Sequence, residues 1–273
     1  MIKKFALGTL SICISVTLHA AAIAFDSASD PTYQPPFTNW ASGDNGGFGF
    51  GAWFGVTDQY VGDSDANGSG VNSGGAATPP GVDIDTPADA PLTLTGASWA
   101  LRGDGGVAGE AFRPFLGDLA VGQTFRLDLD NGFLNTGESA GFGLRDGGTN
   151  LFEFYFQGGD SFYTVNDGTG ENPTTVGFTQ FGLRTSFTLT SATTYSFTID
   201  SLGTGPGIDQ LFTGSLASGA IDNVRLFNFS TSGDAFGNAF YNSMEVVPEP
   251  STWLVGAMAL GACFYLRRRN RRA

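Results

Sequence analysis

The central part of this 273-residue chain lacks three of the side chains that most often do enzymatic chemistry. The chain has one histidine, His19, two cysteines, Cys13 and Cys263, and two lysines, Lys3 and Lys4, so residues 25–247 contain none of these types. No disulfide can cross-link this part, and the imidazole and thiolate ligands that zinc and copper prefer are missing. Stability must therefore come from buried apolar surface, for which 23 of the chain's 25 phenylalanines are available in this part.

Positive charge is scarce in the same region. Residues 25–247 hold six arginines against 25 acidic residues, although the ends of the chain are basic. Such a surface repels nucleic acid phosphates and anionic lipid headgroups. We therefore expect no nucleic acid partner.

The first 24 residues have the three parts of a secretory signal peptide. Lys3 and Lys4 precede an apolar stretch over 5–18, and Ala22-Ile23-Ala24 fits an A-x-A cleavage site. Ala20-Ala21-Ala22 fits the same pattern two residues earlier. We expect signal peptidase to remove residues 1–24 during export, and an uncleaved N-terminal anchor is the alternative.

The C-terminal end has a Pro-rich motif, an apolar stretch and a basic cluster, in that order. The motif is Val247-Pro248-Glu249-Pro250-Ser251-Thr252, and the apolar stretch covers 253–266. As a helix this stretch would be about 21 Å long, shorter than the ~30 Å hydrocarbon core, so it predicts a short transmembrane helix. The basic residues that follow are expected to stop transfer and to stay cytoplasmic. They are Arg267, Arg268, Arg269, Arg271 and Arg272.

Residues 247–273 resemble the PEP-CTERM sorting signal of Gram-negative bacteria. The resemblance implies that a membrane protease, exosortase, recognises Pro248, Glu249 and Pro250 and cuts near them. It also implies release or transfer of the protein to the outer surface. We therefore expect tethering at the inner membrane during sorting, followed by a cell-surface or extracellular location. An ordinary tail anchor behind a Pro-rich linker is the alternative.

Residues 25–246 are predicted to form one all-β domain, an antiparallel sandwich. Short alternating runs are separated by Gly, Asn, Asp, Ser and Thr, and helical periodicity is nearly absent. The run 124–130 and the hairpin 142–145 with 151–157 alternate most clearly. Further strands are predicted at 162–165, 186–190, 194–199, 211–216, 223–229 and 239–247. The Gly- and Pro-rich stretch 62–91 predicts a long surface loop.

Residues 123–246 also resemble the jelly-roll bodies of PEP-CTERM proteins and, more distantly, concanavalin-like lectins and glucanases. Four stretches carry this resemblance: 141–146 (GFGLRD), 151–156 (LFEFYF), 221–227 (IDNVRLF) and 240–243 (FYNS). The resemblance implies a jelly-roll fold, and a fold of this kind does not determine function.

A calcium loop is one candidate site. Asp63, Asp65 and Asn67 occupy the first, third and fifth positions of a D-x-D-x-N-G pattern, and Gly68 permits its sharp turn. Gly74 stands where the loop's bidentate glutamate belongs. A Ca²⁺-binding loop and a bare flexible turn therefore both fit, and no other cofactor is expected.

Carbohydrate chemistry supplies two further hypotheses. Trp40, Trp53 and Trp99 could stack on sugar rings, whereas packing in the core is the more common role of such residues. A glycosidase needs two carboxylates about 5–10 Å apart, and the candidates are Asp128, Asp130 and Glu153. No E-x-D-x-x-E array of the jelly-roll glucanases is present, and Asp128 and Asp130 are interpreted as part of a solvated strand edge. We predict no catalytic residue.

The sequence thus predicts a non-catalytic cell-surface or extracellular-matrix protein that is sorted by exosortase and associated with exopolysaccharide in a biofilm. A lectin-like carbohydrate-binding module is the first alternative, and a secreted glycoside hydrolase is the second. The expected partners are signal peptidase, exosortase, the inner membrane and extracellular polysaccharide.

Overall fold

The structure is a computed structural model that describes residues 21–33, 40–62, 98–102, 108–179, 182–202, 210–230 and 237–248. Residues 1–20 of the predicted signal peptide, the predicted transmembrane helix over 253–266 and nearly all of the predicted loop over 62–91 lie outside these residues. Within the described ranges, no helix is long and apolar enough to cross a membrane.

Fifteen strands are found in the described residues, and one 3₁₀ turn covers Pro31–Tyr33. The strands are β1 (Ala24–Asp26), β2 (Phe54–Thr57), β3 (Gln59–Gly62), β4 (Ser98–Leu101), β5 (Gly109–Pro114), β6 (Gln123–Asn131), β7 (Ser139–Asp146), β8 (Thr149–Gln157), β9 (Phe162–Asp167), β10 (Gly170–Gly177), β11 (Leu183–Ser191), β12 (Thr194–Ser201), β13 (Gln210–Ser215), β14 (Asn223–Asn228) and β15 (Ala239–Pro248).

These strands form two antiparallel sheets that pack as a sandwich. The first sheet has the order β13-β12-β11-β6-β15-β4-β3, and β1 also pairs with β15. The second sheet has the order β10-β9-β8-β7-β14-β5-β2. Strands that are adjacent in these sheets include β6 with β15 and β7 with β14, which are far apart in the chain. The predicted all-β antiparallel sandwich is confirmed.

The core lies between the sheets and is rich in phenylalanine. Phe125 on β6 and Phe152 on β8 are fully buried, as their alternation with polar residues predicts. Phe152 also contacts Phe197 on β12, with ring centroids 4.9 Å apart, so aromatic rings join the two sheets. Burying one such side chain contributes roughly 1.5–3 kcal/mol, which supplies the stability that no disulfide can provide here.

Two interpretations of the sequence are wrong. Asp128 and Asp130 are only 3% and 5% exposed, because β6 lies between β11 and β15 in the middle of its sheet rather than at a solvated edge.

In addition, strands β1–β5 and β10 were not predicted. Five of these six strands have at most six residues, and Pro173 interrupts the pattern of β10. Proline is tolerated there because β10 is the outermost strand of its sheet.

By contacts the chain divides into two units. The sandwich unit spans Ala22–Glu249. The other unit consists of residues 1–21 and 250–273, of which Ala21 alone belongs to the described ranges.

Candidate functional site

The outer face of the second sheet combines charged and aromatic side chains. The alternation of β5 buries Ala111 and turns Glu110 and Phe112 outward. On β14, Arg225 and Phe227 lie on this same side, and Phe227 is covered by its neighbours, with 3% exposed. We call this surface the outer face; its members are Glu110, Phe112, Arg145, Glu153, Tyr155, Arg225 and Phe227.

Two glycines on β7 form a furrow across the outer face. Gly143 lies in register between Arg225 on β14 and Glu153 on β8. Gly141 lies in the same way between Phe227 and Tyr155. Because neither glycine has a side chain, residues on β14 and β8 can approach each other over β7.

Arg225 is the central charge of the outer face. Its Nη2 lies 2.6 Å from Glu110 Oε1, and its Nη1 lies 3.6 Å from Glu153 Oε1. The guanidinium also lies 4.8 Å from the centre of the Phe227 ring, within the range of a cation–π contact. Burial raises the pKa of Glu153, while Arg225 acts in the opposite direction. One guanidinium therefore compensates two carboxylates.

A cavity of about 430 Å³ opens next to this cluster. Its lining residues are Phe54, Phe112, Pro114, Arg145, Gly147, Gly148, Asp222 and Asn223. Phe54 stacks on Phe112 with ring centroids 5.3 Å apart and remains 47% exposed. The guanidinium of Arg145 lies over Phe112, the second ring of this pair, at 5.0 Å from the ring centre. The cavity thus offers an exposed aromatic ring beside a cation.

Two polar atoms in the cavity lining have unused hydrogen-bonding capacity. Arg145 Nε and Asn223 Oδ1 are buried and have no hydrogen-bond partner among the described residues. One is a donor and the other an acceptor, and buried groups of both kinds normally find partners. Asn223 is held in place through its amide nitrogen, which donates to Gly147 O at 3.0 Å. Because both atoms are buried, a ligand in the cavity would reach them only after the lining shifts.

The three tryptophans with a predicted sugar-stacking role lie elsewhere, in the core. Trp40, Trp53 and Trp99 are fully buried and pack on one another, with ring centroids 4.9 Å apart for Trp40–Trp53 and 5.2 Å apart for Trp53–Trp99. A ring with no exposed face cannot stack on a sugar from solvent, so their position corresponds to the core-packing alternative.

The three candidate glycosidase acids are not brought together. Asp128 and Asp130 belong to β6 in the first sheet, whereas Glu153 belongs to β8 in the second. Arg184 binds both carboxylate oxygens of Asp128 at 2.8 Å. Burial raises the pKa of Asp128, and the bonds from Arg184 act against this.

The calcium candidates Asp63, Asp65 and Asn67 lie outside the described residues. In the ranges that the structure describes, no group of three or more His, Cys, Asp or Glu residues could hold a metal ion.

The predicted sorting motif begins inside the sandwich. Pro248 is the last residue of β15, where it pairs with Gln123 of β6. Two residues earlier, Val246 pairs with Phe125 on one side and with Ala24 of β1 on the other. Glu249, Pro250 and the basic residues at 267–272 lie outside the described residues.

The sequence analysis did not identify the residues that line the cavity. They come from β2, β5, the end of β7, the turn that follows it and the start of β14, and no local pattern links these segments. One available signal was the rarity of basic residues, because Arg145 and Arg225 are two of only six arginines in the acidic body.

Comparison with known proteins identifies the C-terminal motif. The PEP-CTERM protein-sorting motif matches residues 246–270, which implies export through the membrane and sorting to the cell surface. Among curated protein sequences, none matches this chain significantly.

Solved structures similar to this chain include proteins of several activities. An immunostimulatory antigen and pseudo-β-1,3-glucanase of Mycobacterium tuberculosis is 17% identical, with 57% of this chain and 77% of that chain covered and a TM-score of 0.40. An alginate lyase of a Corynebacterium species is 10% identical, with 63% of this chain and 82% of that chain covered and a TM-score of 0.40. A Caenorhabditis elegans galectin is 13% identical, with 50% of this chain and 88% of that chain covered and a TM-score of 0.33. At such identities nothing about activity or ligand transfers from those proteins to this chain.

Proposed function

We propose that this chain is a non-catalytic cell-surface or extracellular-matrix protein that exosortase sorts and that associates with exopolysaccharide. The observation that carries the proposal is the sorting motif at 246–270, which begins within strand β15 of a folded sandwich. In this proposal signal peptidase removes the N-terminal segment. The apolar stretch 253–266 then tethers the body to the inner membrane until exosortase cuts near Pro248, Glu249 and Pro250.

The absence of catalysis is proposed from the chemistry of the side chains. Residues 25–247 contain no histidine, lysine or cysteine to act as base or nucleophile. On the outer face, Glu110 and Glu153 share the Arg225 guanidinium. A glycosidase needs two carboxyl groups that face the sugar ring, whereas here the Oε1 atoms of both glutamates lie against one guanidinium.

Intact-mass analysis of the protein from native cells tests the sorting proposal. We expect a surface-exposed form that has lost residues C-terminal to the Pro-Glu-Pro motif. In the double variant E249A/P250A the full-length chain should accumulate in the inner membrane. These two residues are chosen because both follow the end of β15. A variant in which all five terminal arginines become lysine keeps the charge and serves as the control. Unchanged surface delivery of E249A/P250A would overturn the proposal.

A lectin-like role of the cavity is the second candidate function. It is favoured by the exposed Phe54 ring, which lines the cavity together with the polar side chains of Arg145 and Asp222. Aromatic faces pack on the apolar faces of sugar rings, and paired donors and acceptors bind the hydroxyls.

A glycan panel tests this role with matched variants. Phe54→Ala and Arg145→Gln should each lower the affinity for a bound glycan, by about tenfold or more if one aromatic or charged contact is lost. Phe133→Ala is the control, because Phe133 is similarly exposed but does not line the cavity. If the unaltered protein binds no glycan above background, the lectin-like role is wrong.

A further inference from the structure

The body of the protein uses residues that the predicted signal peptide would remove. Strand β1 runs antiparallel to β15, with Ala24 opposite Val246, Phe25 opposite Glu245 and Asp26 opposite Met244. The backbone N–H of Ile23, one residue before this strand, donates to Val246 O at 2.8 Å. Residues 23 and 24 therefore belong to the sheet.

The other edge of β1 is also occupied. Phe25 and Phe48 exchange two backbone hydrogen bonds of 2.9 Å. A Cβ atom on Gly49 would lie 2.4 Å from Ile23 O and 2.5 Å from Ala24 Cα, so this glycine permits a close backbone approach. β1 is thus enclosed between β15 and the segment 47–49.

Residues 23 and 24 also pack against apolar neighbours. Ala24 is 4% exposed and belongs to the hydrophobic core. Together with Leu119 and Val246, both residues line a cavity of about 220 Å³. A chain that began at Phe25 would lose these contacts and would leave Val246 without a partner on the β1 side.

The sequence contains two A-x-A patterns for signal peptidase, ending at Ala22 and at Ala24. The Ala24–Phe25 bond lies within β1, paired on both edges. The Ala22–Ile23 bond precedes β1 and is flanked by the exposed residues Ala21 and Ile23. Signal peptidase acts on the extended chain before the body folds, so the folded structure bears on which cut leaves the body complete. Only the earlier cut keeps Ile23 and Ala24 on β15.

We propose that signal peptidase cuts after Ala22, so that Ile23 is the first residue of the mature protein. Water is consumed in this hydrolysis: the Ala22 carbonyl becomes a carboxylate, and the Ile23 nitrogen becomes a protonated amine. That ammonium group can still donate to Val246 O. The cut therefore preserves the whole of β1 along β15, immediately beside the start of the sorting motif at residue 246. This inference rests on the export that the proposed function requires.

N-terminal sequencing and intact-mass measurement of the full chain, exported from a Gram-negative host under its own leader, test the inference. We expect a single N-terminus at Ile23. A terminus at Phe25, lighter by one isoleucine and one alanine residue, would overturn the inference and leave the proposed export intact. An uncleaved chain would instead contradict the proposed removal of the leader.

Two variants separate the alternative sites. Ala20→Phe places a bulky side chain three residues before the earlier cut, and it should abolish the Ile23 terminus. Ala24→Val removes the small residue that a cut after Ala24 needs, and it should leave the Ile23 terminus unchanged. The reverse pattern, with processing lost in Ala24→Val and retained in Ala20→Phe, would refute the assignment.

Discussion

The Arg113 guanidinium donates from Nη1 to the carboxylate of Asp26, and both side chains are fully buried. Arg113 belongs to β5 in the second sheet, whereas Asp26 belongs to β1, which pairs with the first sheet. Tyr33 completes the cluster: its hydroxyl donates to Asp26 Oδ2 at 2.5 Å and accepts from Trp53 Nε1 at 2.9 Å. One charged cluster thus ties the start of the body to both sheets.

Removing one partner of this buried pair should be costly. Asp26→Ala leaves the Arg113 charge unpaired in the core, and we expect the free energy of unfolding to fall by about 3–5 kcal/mol. Arg126→Ala is the matched control, because Arg126 forms an ion pair with Glu245 near the surface, where the two side chains are 43% and 25% exposed. For this variant we expect the free energy of unfolding to fall by less than ~1 kcal/mol. Urea unfolding measures both variants, and similar losses in the two would contradict a special role of burial.

Asp26 should also make stability depend on pH. Burial raises the pKa of Asp26 from 3.8 to about 6, although Arg113 and Tyr33 act in the opposite direction. Between these two values the folded state holds a proton that the unfolded state has released. The contribution of Asp26 to stability is therefore greatest below about pH 4 and is lost as the pH rises through 6, in total by about 3 kcal/mol.

The free energy of unfolding between pH 4 and pH 7 checks this dependence. The free energy of unfolding of the unaltered protein, minus that of Asp26→Asn, should fall over this range, because asparagine does not titrate. This difference should level off near pH 7, one unit above the folded-state pKa. A difference that stays constant with pH would show that the Asp26 pKa is not raised.

The furrow on β7 should not tolerate a side chain at Gly141. A Cβ atom there would lie 2.1 Å from Phe154 O and 2.6 Å from Tyr155 Cα, so Gly141→Ala must displace β8. We expect a loss of about 1–3 kcal/mol in the free energy of unfolding. Gly148→Ala is the control, since nothing lies within 4 Å of its added Cβ atom, and it should change stability by less than ~0.5 kcal/mol.

Calcium binding by Asp63, Asp65 and Asn67 stays a prediction from the sequence. If the loop binds Ca²⁺, adding the ion should raise the midpoint of thermal unfolding, and a chelator should reverse the rise. The variant D63N/D65N should remove the response. A midpoint unaffected by Ca²⁺ and by chelator would exclude a structural ion at this loop.

The sequence by itself determined the features that depend on neighbouring residues. The alternation of Phe125, Leu127 and Leu129 is a property of one short segment, and it correctly predicted a strand with a buried face. The sorting motif is likewise one contiguous stretch, so it could be found without any knowledge of the fold.

Only the tertiary structure decided which segments became neighbours. Asp26 and Arg113 are 87 positions apart, and no local pattern connects them. The central position of β6, which buries Asp128, and the cavity beside Phe54 both follow from strand order. Strand order is set by the free energy of the whole packed sandwich, to which every sheet contact contributes, whereas periodicity records only whether a segment has an apolar side.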